Sequence, residues 1–419
     1  MKRTRNRTGA LVKRGPATQT GADHPVFAKG RDISPLSFVL LALIGFYCLL
    51  AVASGLDRAA ENNDRARYVP YWPYAAFHAL VQTRIALLRH DYPQMQTRAA
   101  LAVRLSPLDT HVVGSLGLAD EMHGDTASAE RAFTLSRRLG WRDTPTQLYW
   151  FDKAVALGDM TTASRHLGAM LSVAPQMALA DQLIGRMSQF EQGRDALAAE
   201  LRKRPKWLIA FVTQFDHPTI LGLDARADVV LRAGRGLWTC DQLSVLVDRL
   251  RSEGLLEDAK AVWQANCPSP SALIYDPDFI HADRDSLTTG YNWTIRREGG
   301  VIVDLTSLPD GGHILNAQVE AASTSVFALQ PTALSAGTYR ISWAMPNTAA
   351  ADRDAVSVTL DCDQDLSNAA KGQPAPGSPG RYFADLAVTQ DCPAPYLAFW
   401  LVPHHAASLA HVAMTRQPD

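Results

Sequence analysis

The chain has 419 residues, 47% of them hydrophobic, which is enough length and apolar content for two or three domains. Its net charge of −1 is unevenly spread: residues 1–34 carry +6 and the remainder −7. An acidic main body excludes the basic footprint of a nucleic-acid binder.

Residues 1–34 read as a disordered leader, with Lys2, Arg3, Arg5, Arg7, Lys13, Arg14, Lys29 and Arg31 against Asp23 and Asp32. Residues 35–56, PLSFVLLALIGFYCLLAVASGL, contain no charge. A helix of that length spans about 33 Å, which matches a hydrocarbon core of about 30 Å. Positive charge beside a spanning helix stays in the cytoplasm, so the body is expected outside it. Ala51-Val52-Ala53 before Ser54 also fits the small-residue pattern of a cleaved signal. The long leader and long apolar run favour a retained transmembrane anchor. Residues 57–74 read as a linker ending in Tyr68-Val-Pro-Tyr-Trp-Pro-Tyr74.

Residues 75–268 are rich in Ala and Leu with helical periodicity. Asp91, Asp125 and Asp159 are spaced by 34, and Pro107 and Pro175 by twice that. One unit contains Leu116-Gly117, Gly124-Asp125, Ala129 and Phe133; the next contains Gly158-Asp159, Ala163, Leu167 and Pro175. Gly-Asp supplies a turn between helices and proline ends the second helix. These residues resemble the tetratricopeptide repeat, a helix–turn–helix unit. Val113 and Asp120 stand where that family places its first-helix tryptophan and tyrosine.

Past Pro175 the register slips. Gly193 to Pro205 reads as half a hairpin, residues 206–238 as irregular, and residues 240–268 as a last hairpin turning at Gly254. That hairpin brings Cys240 and Cys267 near each other.

Residues 275–417 switch to period-two alternation with many turn residues. Candidate strands are 293–297, 301–305, 314–319, 325–329, 338–344, 355–362, 382–388, 396–402 and 409–415. Nine short strands suggest an antiparallel β-sandwich, jelly-roll-like. Residues 366–381 read as a turn-rich loop with no core to offer. The expected fold class is therefore multi-domain α + β: a single N-terminal transmembrane helix, a tetratricopeptide-like α-helical domain, and a C-terminal sandwich.

Of five cysteines, Cys48 falls in the apolar run. The other four, Cys240, Cys267, Cys362 and Cys392, contain no CxxC pair, which argues against zinc. In an oxidising compartment they read as two disulfides. Chain order favours 240–267 and 362–392, although sequence alone leaves the connectivity open.

No GxSxG, HExxH, P-loop or strand-borne GxGxxG is present. Asp361-Cys-Asp-Gln-Asp365 begins like a calcium loop, but Leu366 replaces its turn glycine and no late acid follows. His404, His405 and His411 lie close together without a metal-site pattern. Asp276, Asp278 and Asp363 form no recognisable catalytic pair. No enzyme, metal or cofactor is expected. Sugars stack on aromatic rings, with polar side chains meeting their hydroxyls. Tyr291 and Trp293, at the start of the first strand, are the expected glycan contacts, with Asn292 and Arg296 as weaker partners. Trp343 and Trp400, within strands, are expected in the core.

The order of Leu256–Trp263, Asp276-Pro-Asp-Phe279, Gly290-Tyr-Asn-Trp293, Leu334-Ser-Ala-Gly-Thr-Tyr339 and the Cys362/Cys392 pair resembles a known group. Its members are tetratricopeptide-repeat proteins of bacterial exopolysaccharide and O-antigen assembly, with a C-terminal domain similar to carbohydrate-binding modules. The resemblance implies a non-enzymatic scaffold in the bacterial inner membrane with its body in the periplasm. Its partners would be proteins of the assembly and export machinery, and glycan. A glycan-binding module on a helical spacer is the alternative, and a polysaccharide-acting enzyme, for which no paired carboxylates are recognisable, the third reading.

Overall fold

The computed structural model describes residues 35–60, 75–175, 179–215, 219–267, 273–282, 289–309, 311–363 and 365–418. The leader 1–34 and linker residues 61–74 lie outside them. Contacts divide the chain into two units, residues 1–75 and 76–419.

The first unit holds helix α1 (Pro35–Ala60), which continues four residues past the apolar run. Its stretch Phe38–Ala59 has mean hydropathy 2.4 and is long and apolar enough to cross a membrane.

The second unit opens with helices α2 (Ala76–Leu88), α3 (Tyr92–Leu105), α4 (Thr110–His123), α5 (Thr126–Leu139), α6 (Thr144–Ala156) and α7 (Met160–Val173). They pair as three helical hairpins, and the 34-residue aspartates explain why. Asp91, Asp125 and Asp159 are the N-caps of α3, α5 and α7. Each side chain accepts a backbone N–H, from Gln94, Ser128 and Thr162, at 3.0–3.1 Å. The residue before each cap is left-handed: His90 at φ 57°, Gly124 at 89° and Gly158 at 74°. Glycine reaches that region without strain, whereas His90 adopts it as an exception. Gly117 is needed for packing, since a Cβ there would meet the Phe133 ring at 2.8 Å. Ala129, Phe133, Ala163 and Leu167 are buried, as their small–large alternation requires.

A second aspartate series escaped the sequence reading. Asp109 and Asp143 are also 34 apart and cap α4 and α6, which start the hairpins.

Next come α8 (Ala180–Ser188), α9 (Glu191–Arg202), α10 (Leu208–Thr213), α11 (Ile220–Ala233), α12 (Cys240–Ser252) and α13 (Leu256–Asn266). Helices α8/α9 and α12/α13 form hairpins, the latter turning at Gly254 with φ 78°. Residues 206–238, expected to be irregular, instead form α10 and α11. Six residues of α10 are too few to display a helical period. Helix α10 packs on α12, while α11 lies against α8, α9 and α13. Cys240 begins α12 and Cys267 caps α13, and the two form a disulfide with Cα atoms 5.7 Å apart.

The sandwich has β1 (Thr294–Ile295), β2 (Val301–Ser307), β3 (His313–Val319), β4 (Ser325–Pro331), β5 (Gly337–Ala344), β6 (Val356–Asp361), β7 (Ala370–Lys371), β8 (Gln373–Pro374), β9 (Arg381–Val388), β10 (Tyr396–Leu401) and β11 (Ala406–Arg416). One sheet runs β1-β4-β10-β6-β7 and the other β2-β3-β11-β5-β9-β8, and the paired strands are antiparallel. After the β2–β3 hairpin, the long strands β3, β4, β5, β6, β9, β10 and β11 change sheet at every step, and between β6 and β9 the short edge strands β7 and β8 lie one in each sheet. The inward faces bury Phe327, Ile341, Trp343, Val358, Leu397 and Phe399 as one core. Trp343 is there as expected, and Trp400 is buried on the other face of its strand.

Residues 366–381 do contribute structure, contrary to the sequence reading. They supply the edge strands β7 and β8, and Gly372 between them presses on Trp343: a Cβ there would meet the indole at 2.6 Å. Two-residue strands leave no alternation to read. Cys362 and Cys392 form the second disulfide, with Cα atoms 5.6 Å apart.

Without reduction, thiol labelling of the full chain in detergent should therefore modify Cys48 alone, and reduction should expose the other four. Labelling at any of those four before reduction would contradict the pairing.

Candidate functional site: the joint and cleft between helices and sandwich

The Asp276-Pro-Asp-Phe279 and Gly290-Tyr-Asn-Trp293 motifs come together as one plug. Asp276 and Phe279 are both left-handed, at φ 52° and 56°. The Asp276 carboxylate accepts the backbone N–H groups of Ile280 and His281, each at 2.7 Å. Burial pushes its carboxyl up, and those two amides oppose the shift. The Asp276 carbonyl accepts Trp293 Nε1–H at 2.9 Å, and Phe279 packs on the Trp293 ring at 5.0 Å. Asn292 donates to the His281 carbonyl at 2.9 Å and accepts the Trp293 N–H at 2.8 Å.

This plug is bolted to the last helical hairpin. The Asp248 carboxylate on α12 accepts the Thr289 N–H at 3.0 Å, and burial raises its pKa. Gly290 has φ 61°, and a Cβ there would lie 2.4 Å from Trp263 of α13. Glycine is thus demanded twice, by backbone conformation and by contact. Trp263 meets Tyr275 edge-on at 5.0 Å and Tyr291 at 6.1 Å. The Arg251 guanidinium lies over Tyr291 at 5.4 Å and over Tyr396 of β10 at 5.2 Å. Burial pushes the Tyr291 hydroxyl up to about 12.

These contacts revise the expected glycan platform. Tyr291 is 6% exposed, Asn292 8% and Trp293 2%, so the aromatic faces are spent on packing. A stacked sugar needs an open ring face; Trp293 is enclosed in the core, and Tyr291, though mostly buried, borders the cleft that opens beside the joint. Arg296 is exposed, while its backbone N–H donates to the Phe327 carbonyl at 3.1 Å. The histidines are held separately: His405 pairs with Asp352 at 2.6 Å and His411 with Asp278 at 2.8 Å. Among the described residues, no group of three or more His, Cys, Asp or Glu side chains is placed to hold a metal. Asp365 accepts the Ser367 N–H and hydroxyl; Gln364 of the calcium-like run lies outside the described residues.

Beside the joint opens a cleft of about 740 Å³. One wall is the start of α13, with Leu256, Glu257, Asp258 and Lys260. The other is built from residues 332–336, 389–390 and 392–394 together with Arg416. Arg416 is oriented by donating to the Ala336 carbonyl at 3.1 Å, and Tyr339 donates to the Ser335 carbonyl at 2.9 Å. Burial and the neighbouring acids Asp224, Asp228 and Glu257 push the Asp258 carboxyl up. Tyr291, Leu256, Leu334, Tyr339 and Cys392 of the sequence motifs all border this cleft, but they come from segments far apart along the chain, and only the fold brings them together.

These features define a class: a chain with an N-terminal helix of membrane-spanning length and a helical-hairpin array joined to an antiparallel β-sandwich. A scan against protein-family models finds no match, and a search of curated proteins finds none either.

Proposed function

We propose that this protein is a non-enzymatic accessory scaffold of the bacterial envelope, assisting assembly or export of a surface polysaccharide such as exopolysaccharide or O-antigen. Helix α1 anchors it in the inner membrane, with the basic leader in the cytoplasm and the body in the periplasm. The helical hairpins, tetratricopeptide-like in spacing, hold proteins of the assembly machinery, and the sandwich side meets glycan. The observation that carries this reading is the joint. Trp263 against Gly290, Asp248 on Thr289 and Arg251 between two tyrosines tie array to sandwich. A partner held by the hairpins is then presented at a set distance from whatever the sandwich meets. The two disulfides fit an oxidising compartment. The polysaccharide assignment itself rests on the motif resemblance.

Deleting the gene in its source cell should change the amount or length of surface polysaccharide, with the full chain restoring it. Unchanged polysaccharide would remove the reading. A reporter fused after residue 60 should be active only outside the cytoplasm; cytoplasmic activity would reverse the topology.

A further inference from the structure

We propose that the cleft between α13 and the sandwich is a glycan-binding site for a short, neutral, hydroxyl-rich stretch of polysaccharide. The proposal rests on the polysaccharide reading for its biological setting, and on the cleft itself for its chemistry. Ligand sites favour domain junctions, and about 740 Å³ lies within the usual range of such pockets.

The lining mixes signs. Glu257 and Asp258 offer acceptors, Lys260 offers a donor, and Gln390 offers both. Neither a polyacid nor a polybase is favoured by that balance. A sugar hydroxyl, which donates and accepts at once, can use both kinds of neighbour. Exposed Pro393 and half-buried Leu256 supply apolar surface for the C–H faces of a sugar ring.

Both walls are braced in advance. The Cys240–Cys267 disulfide closes the open end of the hairpin whose turn and second helix form one wall. The Cys362–Cys392 disulfide anchors the 389–394 segment in the other, and Cys392 itself lines the cleft. A site built before its ligand arrives loses less ordering entropy on binding.

The test uses the full chain in a detergent without a sugar headgroup. The probes are short oligosaccharides of glucose, galactose, mannose and N-acetylglucosamine displayed on a surface. At least one should be retained. Glu257→Gln, at an exposed position, should weaken that retention about tenfold by removing a charge-assisted acceptor. Ala394→Trp, which fills the cleft, should abolish it. Retention of no probe, or retention unchanged in Glu257→Gln and Ala394→Trp, overturns the proposal. The envelope role fails separately, through unchanged polysaccharide in the deletion strain, so the two failures are distinguishable.

Discussion

Arg226→Ala should lower the stability of the helical array by about 3–5 kcal/mol, the range seen when one partner of a buried ion pair is removed. Arg226 lies on α11 and is only 2% exposed. Its guanidinium pairs with Asp181 of α8 and donates to the carbonyls of Phe211 and Gln214 at 2.9 and 3.1 Å. The rings of Phe211 and Phe215 each lie 5.0 Å from it. Burial lowers its pKa, and Asp181 offsets the shift. Alanine would take the buried cation away from the Asp181 carboxylate and a donor from two carbonyls together, at the point where α8, α10 and α11 meet. Arg226→Met should lose nearly as much, since it restores volume but no donor. Adding Asp181→Leu to Arg226→Met should recover a large part, because the carboxylate no longer sits buried beside the lost cation. Urea denaturation of the full chain in detergent, followed by helical circular dichroism, measures each variant. A loss below about 1 kcal/mol for Arg226→Ala would refute the role.

The second large effect is on pH. His166 is buried on α7, stacked on Trp141 at 5.2 Å and hydrogen-bonded through Nδ1 to Gln147 at 2.7 Å. Burial, reinforced by the Arg137 charge and partly opposed by Asp159, lowers its pKa to about 4. The folded state therefore keeps the imidazole neutral over a range in which the unfolded chain protonates it. Above about pH 6.5 both states are neutral and the stabilisation is complete. As pH falls towards 4 the unfolded state gains a proton that the folded state refuses. Stability should drop by about 3 kcal/mol across that window. His166→Gln should flatten the decline there, whatever it does to stability at pH 7. Parallel pH profiles for the two proteins would sink this prediction.

Much of the fold was legible where the signal is local. The apolar run needs only its own composition to be seen, and α1 follows it. The aspartates at 34-residue intervals were visible because a cap acts on its own next turn. Strands β2, β5 and β9 kept their alternation because each buries one face, whereas β4, β6 and β10, buried on both, stood out as short apolar runs between turns. Chain order favoured the two cysteine pairings without fixing them, and the structure forms both. Short elements escaped: α10, β7 and β8 hold too few residues to repeat a period.

The candidate site was read less well, for a different reason. Tyr291 and Trp293 follow a turn glycine in a polar stretch, where exposure is the local expectation. Their burial depends on Asp276, Phe279, Arg251 and Trp263, none of which is a sequence neighbour. Aromatic rings serve equally well as sugar platforms and as mortar between domains, and composition does not separate the two uses.

From residue order alone come the apolar helix, the hairpin period and the strand alternation, since each depends on local spacing; the disulfide connectivity was favoured by chain order but decided by the fold. Tertiary structure alone decided that Gly290-Tyr-Asn-Trp293 is a joint, that the cleft runs from Glu257 to Arg416, and that a buried arginine holds three helices. Burial is a property of what the rest of the chain brings alongside, and no local pattern encodes that.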